Sequence, residues 1–456
     1  MMTPRATNRY DPSMPKLAVA LREMPTGTVG ESGTDLWFGY DPAVVQVDDG
    51  DVLSSRAISV RMPVVDAPYG HAATLVFFDN LLLESDTRAE LARLDHRDPS
   101  DVAGLLGRVG AECAGAVSMW PHGMPPARPA YRPLSVADVE ALFDERHGER
   151  LSQAVLESQQ VMSGVQRKLV LRRHRDAWSL PLHGASGTHV IKRSSGRYDG
   201  LVANELACLR LFEALQLPVP AAEPMGGAPL WLDGTREPRL ISIARFDRVE
   251  ADLLPTGAAD AGAADAWPPI TRLHQEDLCQ VTGRRPTAKY QANGGPTLRD
   301  LATAIRRYAV APETDLQNAL TAAIANVCLG NGDAHGKNFA LLSTSDGHHR
   351  LAPFYDIVST DVYPALTPTF SMTFGHAERA TGLSERDLDR VARDFGVSVA
   401  LVRTTVEAVT TSLRLALDDV LDGVERDAGV ESPVLRRLQA LVRSRTAQVE
   451  ALLVRG

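Results

Sequence analysis

The chain has 456 residues, 44% of them hydrophobic and 23% charged, which is the profile of a globular protein long enough for two or three domains. A formal net charge of −9 speaks against nucleic-acid binding by bulk electrostatics, and no apolar run reaches the roughly 20 residues of a membrane span. Cys113, Cys208, Cys279 and Cys328 are scattered with no CxxC pair, and the N-terminus shows no apolar signal region, so neither a zinc site, a disulfide scaffold nor secretion is expected and the location reads as cytoplasmic.

Residues 1–15 read as a loose tail and 16–120 as a small mixed domain. There "LAVAL" and "DLWFGY" predict strands, while "ATLVFFDNLLL" and "DVAGLLGRVGAECAGAV" predict helices, the second capped by Asp101. A proline-rich stretch, 121–134, reads as a linker. Over 135–250, a helix beginning at Ser135 is followed by strand-like "KLVLRR", "AWSLPL" and "THVIKR". Then come an amphipathic helix, "LVANELACLRLFEAL", and further strands ending in "RLISIARFDR". An Ala/Gly-rich loop, 251–272, leads into a mostly helical region, 273–456.

The stretch "CLGNGDAHGKNFALL" carries the chemistry. Asp333, His335, Lys337 and Asn338 crowd one short loop, and Asp356 follows in "LAPFYD" after a predicted hairpin. An Asp, an Asn five residues on, and a later Asp follow the spacing of the protein-kinase catalytic loop, in which a base takes a hydroxyl proton and hard oxygen ligands hold Mg²⁺. Upstream, Lys192 ends the apolar run "THVI" and Glu205 lies on the next helix, the order of a kinase's strand lysine and helix glutamate. Gly164 marks the tight point of "MSGVQRKL", whose backbone N–H groups suit phosphates, though the segment is not GxGxxG. Blander readings stand beside these. "GNGD" is also turn chemistry, Lys192 also fits a solvated strand end, and "HQEDLCQ" reads as a helix start rather than a metal site.

Taken in order, "SGVQRK", "THVIK", "NE", "RFDR", "HQEDLCQ", "KY", "GNGDAHGKN" and "PFYDI" resemble the HipA family of bacterial toxin kinases over nearly the whole chain. The resemblance implies an α+β, bilobal protein-kinase-like fold with a small N-terminal subdomain and a helical C-lobe. It implies ATP and Mg²⁺ as cofactors, Asp333 as base, Asn338 and Asp356 as Mg²⁺ ligands, and Lys192, paired to Glu205, as the ATP-phosphate lysine. Gly164, Val165, Gln166, Arg167 and Lys168 match the phosphate-covering loop. Arg245 and Phe246 match the adenine-reading hinge, with Asp247 at the ribose; His335 and Lys337 match loop residues that help position phosphate or substrate. It further implies a serine/threonine kinase acting on an aminoacyl-tRNA synthetase, restrained by a HipB-like helix-turn-helix antitoxin that supplies any DNA contact, with no membrane role. The serine that family members autophosphorylate is Val161 here, with Ser163 and Ser158 nearby. Two other readings stay open: a catalytically weak nucleotide-binding corepressor of an antitoxin–DNA complex, and a kinase for a small molecule.

Overall fold

The computed structural model describes residues 15–47, 55–124, 128–144, 149–162, 166–194, 198–225, 230–232, 235–237, 240–250, 268–343, 347–428 and 432–453. Alternation of Leu17, Val19 and Leu21 turns one face of strand Pro15–Leu21 into a core. This strand sits inside a four-stranded antiparallel sheet in the order Asp35–Tyr40, Met24–Ser32, Pro15–Leu21, Val117–Pro121. Phe77 and Phe78 of helix His71–Asp79 and Leu105 and Leu106 of helix Val102–Val109 share its core. Asp101 caps the latter helix by accepting the Gly104 N–H. The long helix expected from Asp101 to Val117 is cut at Val109, because Val117–Pro121 is claimed by pairing with Pro15–Leu21. Local helical pattern yields there to a buried ladder.

A second sheet of six antiparallel strands runs Ala130–Leu134, Ala177–Leu182, Lys168–His174, His189–Arg193, Leu240–Ala244, Ala222–Met225. Its first strand lies within the stretch expected to be a linker; Pro133 is accommodated because the strand is at an edge. The two sheets share one core, in which Leu17, Phe38 and Leu105 belong with Leu169, Leu171 and Ile191.

Helix Leu201–Ala214 is buried nearly all round rather than amphipathic, Asn204 and Glu205 included. A helix apolar on all sides belongs inside a lobe. Its Leu206, Leu209 and Phe212 join the second core, with helices Leu298–Tyr308, Pro312–Leu329, Glu385–Phe395, Val399–Ala428 and Pro433–Glu450. "HQEDLCQ" opens as strand His274–Asp277 and becomes helical only at Leu278, with Asp277 as the cap. Strand His274–Asp277 pairs with Ala340–Ser343, which pairs with His349–Leu351, so the segment after the catalytic loop is fixed to the base of the cleft. Most of the Ala/Gly-rich loop lies outside the described residues; its flanks, Arg248–Glu250 and Ile270–Arg272, pair with each other.

Candidate active site

Helix Pro312–Leu329 ends at Gly330, which takes φ +65; a Cβ there would meet the Asp361 side chain at 2.8 Å. Only glycine turns the chain so sharply in that space. Asn331 then accepts the Asp333 N–H at 3.0 Å while donating to Asn326, and the Asn338 amide donates to the Asp333 carbonyl at 2.8 Å. The loop is thereby closed on itself across the five-residue gap seen in the sequence.

Asp333 opens into a cavity of about 830 Å³, a volume in the range that holds a nucleotide-sized ligand. Its side chain is 48% exposed, and the Tyr290 hydroxyl donates to its Oδ1 at 2.8 Å. Burial in the cleft pushes the Asp333 carboxyl up to about 6, against the downward pull of the Tyr290 bond. A base near neutrality is matched to proton abstraction from a hydroxyl at physiological pH. The His335 ring packs edge-on to Tyr290 with centroids 5.1 Å apart, and its Nδ1 accepts the Lys337 N–H at 3.3 Å. Burial, reinforced by Lys289, lowers His335 to about 3, so the ring is neutral and shapes the loop.

Across the cavity, the Lys192 ammonium donates to Glu205 at 2.5 Å and to Asp356 at 2.6 Å. Burial alone would depress Lys192; the two carboxylates overcome it and hold the ammonium above its ordinary range. Burial likewise opposes charge on Asp356, yet Lys192 and then Lys168 keep its carboxyl well below the usual range. Asp356 takes a left-handed φ of +59, uncommon for a residue with a Cβ, and a known mark of residues held for function. Lys168 stands directly opposite Lys192 on the neighbouring strand. Like charges facing each other across a ladder are unfavourable by themselves, and both residues line the cavity, so the wall is suited to a polyanion.

Lys192, Glu205, Asp333, Asn338 and Asp356 therefore converge on one cavity or its rim, as do Gln166, Arg167 and Lys168. Gln166 donates to the Arg193 carbonyl at 3.1 Å, and Arg167 pairs with Glu90 at 3.2 Å. Gly164, Val165 and Ser163 lie outside the described residues. Val161 and Ser158 are both buried, Ser158 donating to the Val155 carbonyl, which leaves neither presented to the cleft. For Mg²⁺, Asn338 and Asp356 offer hard oxygen donors on the cavity wall, and no group of three or more His, Cys, Asp or Glu side chains is arranged for a metal among the described residues. Two protein ligands with substrate phosphates completing the shell suit Mg²⁺.

Three more of the expected residues, Lys337, Arg245 and Asp247, also line the cavity, with their charged groups bonded to protein. Lys337 spends its three donors on Asp277 at 2.6 Å and on the Asn80 carbonyl and side-chain oxygen, each at 2.9 Å. It is a tether from the loop to the N-terminal subdomain, with no proton left for a phosphate. The Arg245 side chain is buried against Glu112, Asp247 and the Cys113 carbonyl, and its N–H is given to the Thr188 carbonyl. Asp247 also lines the cavity, and its two carboxylate oxygens are engaged by Arg245, the Gly115 N–H and Gln275, so it braces the hinge from the cavity wall. Phe246 lies beside them on the cavity wall, 5.5 Å from the Tyr355 ring. Tyr290 has no role that its sequence context announces; the "KY" pair is its only trace.

Two lobes around a nucleotide-sized cleft, with a strand lysine paired to a helix glutamate, define a protein-kinase-like fold. Residues 161–417 match the HipA-like C-terminal domain and residues 17–120 the HipA N-terminal domain. The Y4mE protein of Sinorhizobium fredii, whose name assigns it provisionally to the kinases, is 32% identical over 408 residues, covering 85% of this chain and 87% of its own. The serine/threonine-protein kinase toxin HipA of Shewanella oneidensis is 26% identical over 298 residues, 63% of each chain. A solved chain from the Shewanella oneidensis MR-1 complex of HipA, HipB and operator DNA has the same fold, with a TM-score of 0.73 at 20% identity over 96% of this chain and 97% of that one. The chain belongs to the HipA family. No helix among the described residues is long and apolar enough to cross a membrane.

Proposed function

We propose that this chain is an ATP-dependent serine/threonine protein kinase and the toxin of a toxin–antitoxin pair. The observation that carries the reading is the opposition, across one cavity, of an elevated carboxylate, Asp333, and the Lys192–Glu205–Asp356 cluster. Asp333 would orient the acceptor hydroxyl and take its proton. Lys192 and Lys168 would hold phosphate oxygens, and the cavity wall at Val190, Ile243 and Phe246 would receive the adenine. Asn338 and Asp356 would hold Mg²⁺, which when bound supplies neutralisation of the phosphate charge. Catalysis by such a site is mainly positioning and electrostatics.

The family points to an aminoacyl-tRNA synthetase as substrate, arrest of translation as outcome, and a HipB-like helix-turn-helix partner through which any DNA contact runs. The net charge of −9 fits DNA recognition by a partner rather than by this chain. The test is transfer of label from γ-labelled ATP with Mg²⁺ to a purified set of aminoacyl-tRNA synthetases, with Asp333→Asn as control. Label on one synthetase, absent in the control, supports the whole reading. Label on this chain alone keeps the kinase and rejects the substrate. No label on any protein, with ATP bound, overturns the kinase.

A further inference from the structure

The segment Lys289–Gln291 is stitched to the catalytic loop along its whole length. The Gly336 N–H donates to the Lys289 carbonyl at 3.0 Å, and Lys289 itself is anchored to Glu84 of the N-terminal subdomain at 2.8 Å. Gln291 exchanges hydrogen bonds with Thr373 at 2.9 and 3.0 Å, and its N–H donates to the Ser371 carbonyl. Ser371 in turn donates to the Gly332 carbonyl, one residue before the base. The turn that follows has no slack: a Cβ on Gly295 would lie 2.4 Å from the Ala288 carbonyl, and one on Gly336 would lie 2.7 Å from Pro296. Between these ties stands Tyr290, its ring against His335 and its hydroxyl 2.8 Å from Asp333 Oδ1.

We infer that Tyr290 is the positioning residue of the base: its hydroxyl fixes Oδ1 of Asp333 and leaves Oδ2 as the oxygen that meets the acceptor hydroxyl. A carboxylate whose side chain is 48% exposed is only partly held by packing, and one rigidly delivered donor chooses its rotamer. Tyr290 gives its hydroxyl proton to Asp333 in a hydrogen bond and acts through it, so its effect belongs to the chemical step and not to nucleotide binding. This rests on the kinase reading above.

The test is Tyr290→Phe, which keeps the ring on His335 and removes only the hydroxyl, compared with wild type for transfer from ATP to the acceptor or to the chain itself. The expected result is a fall in kcat of about tenfold, the scale of one hydrogen bond to a charged group, with KM for ATP and the melting temperature unchanged. An unchanged kcat overturns the inference. So does a loss in which kcat, KM for ATP and melting temperature move together, since that marks a structural residue. Should wild type transfer no phosphate, the kinase reading fails on its own, and crystal structures of wild type and Tyr290→Phe decide this point. An Asp333 side chain that changes rotamer or splits between several in the variant upholds the inference; the same single rotamer in both overturns it.

Discussion

Two clusters of buried charge flank the cleft, and they are built for opposite ends. At the hinge, Glu112 accepts from Arg245 at 3.0 Å and from Arg248 at 2.6 and 2.8 Å, and lies 3.4 Å from Arg272. Arg248 and Arg272 give further protons to the carbonyls of Cys113 and Val117, and none of the five charged side chains, Asp247 included, is more than 5% exposed. In that cluster every charged side chain is answered by protein, Arg272 Nε alone among their nitrogens and oxygens being buried with no partner among the described residues, and the N-terminal subdomain is bolted to the hinge strand. In the cleft, Asp356 is 30% exposed, Asp333 is 48% exposed, and Glu205 Oε2 has no hydrogen-bond partner among the described residues. Charge that is sealed among protein partners fixes a fold; charge that is paired but left open to a cavity on one side awaits a ligand.

The sharpest way to break this contrast is to exchange the expected phenotypes. Asp333→Asn should lower phosphoryl transfer by about 10²–10⁴-fold while ATP affinity and unfolding midpoint hold, measured by labelled-phosphate transfer beside calorimetric titration. Glu112→Gln should do the reverse, costing about 3–5 kcal/mol of stability by leaving buried guanidinium groups uncompensated, with the turnover of the remaining folded molecules unchanged; denaturant titration reads it. A variant of Glu112 that unfolds no more easily than wild type would dissolve the distinction.

A smaller effect follows from Glu276, which accepts the Val60 N–H at 2.8 Å and is 3% exposed. Burial pushes its carboxyl up from the ordinary 4.5 to about 7, so the folded chain holds this proton more tightly than the unfolded chain does. The resulting stabilisation is full below pH 4.5 and is lost as pH rises through about 7. Wild type should therefore lose roughly 2–3 kcal/mol relative to Glu276→Gln between those limits, at about 1.4 kcal/mol for each pH step of one. Parallel unfolding titrations of the two proteins across that range should diverge; parallel curves would place the Glu276 proton elsewhere.

The kinase-like geometry was legible because its residues sit at fixed chain spacings on elements with clear patterns. Asp333 and Asn338 share one loop, and Lys192 and Glu205 end one strand and ride the next helix. Other residues of the motif strings show what spacing leaves open. Lys337, Arg245 and Asp247 lie inside motif strings, but among their partners Asn80, Glu112 and Gly115 are more than a hundred residues away in the chain. A charge in a motif announces that it has a partner and does not say on which side. Tyr290 entered only as half of the "KY" string for the converse reason: a tyrosine in a polar turn carries no periodic signal, and its bond to Asp333 appears only once the loop is folded against it. The truncated helix before Val117 reflects the same limit, since the strand it yields to lies a hundred residues earlier.

The helix bearing Glu205 packs in the core of the helical lobe, whereas Lys192 is borne by the sheet. The bond between them spans the two lobes and acts as a gauge of their separation. A wedge that widened the gap by about an ångström or two would snap it and strand Glu205, leaving Lys192 to Asp356 alone. On the kinase reading proposed above, an inhibitor of this chain need not resemble ATP: a rigid molecule seated between sheet and helix would act by spacing alone.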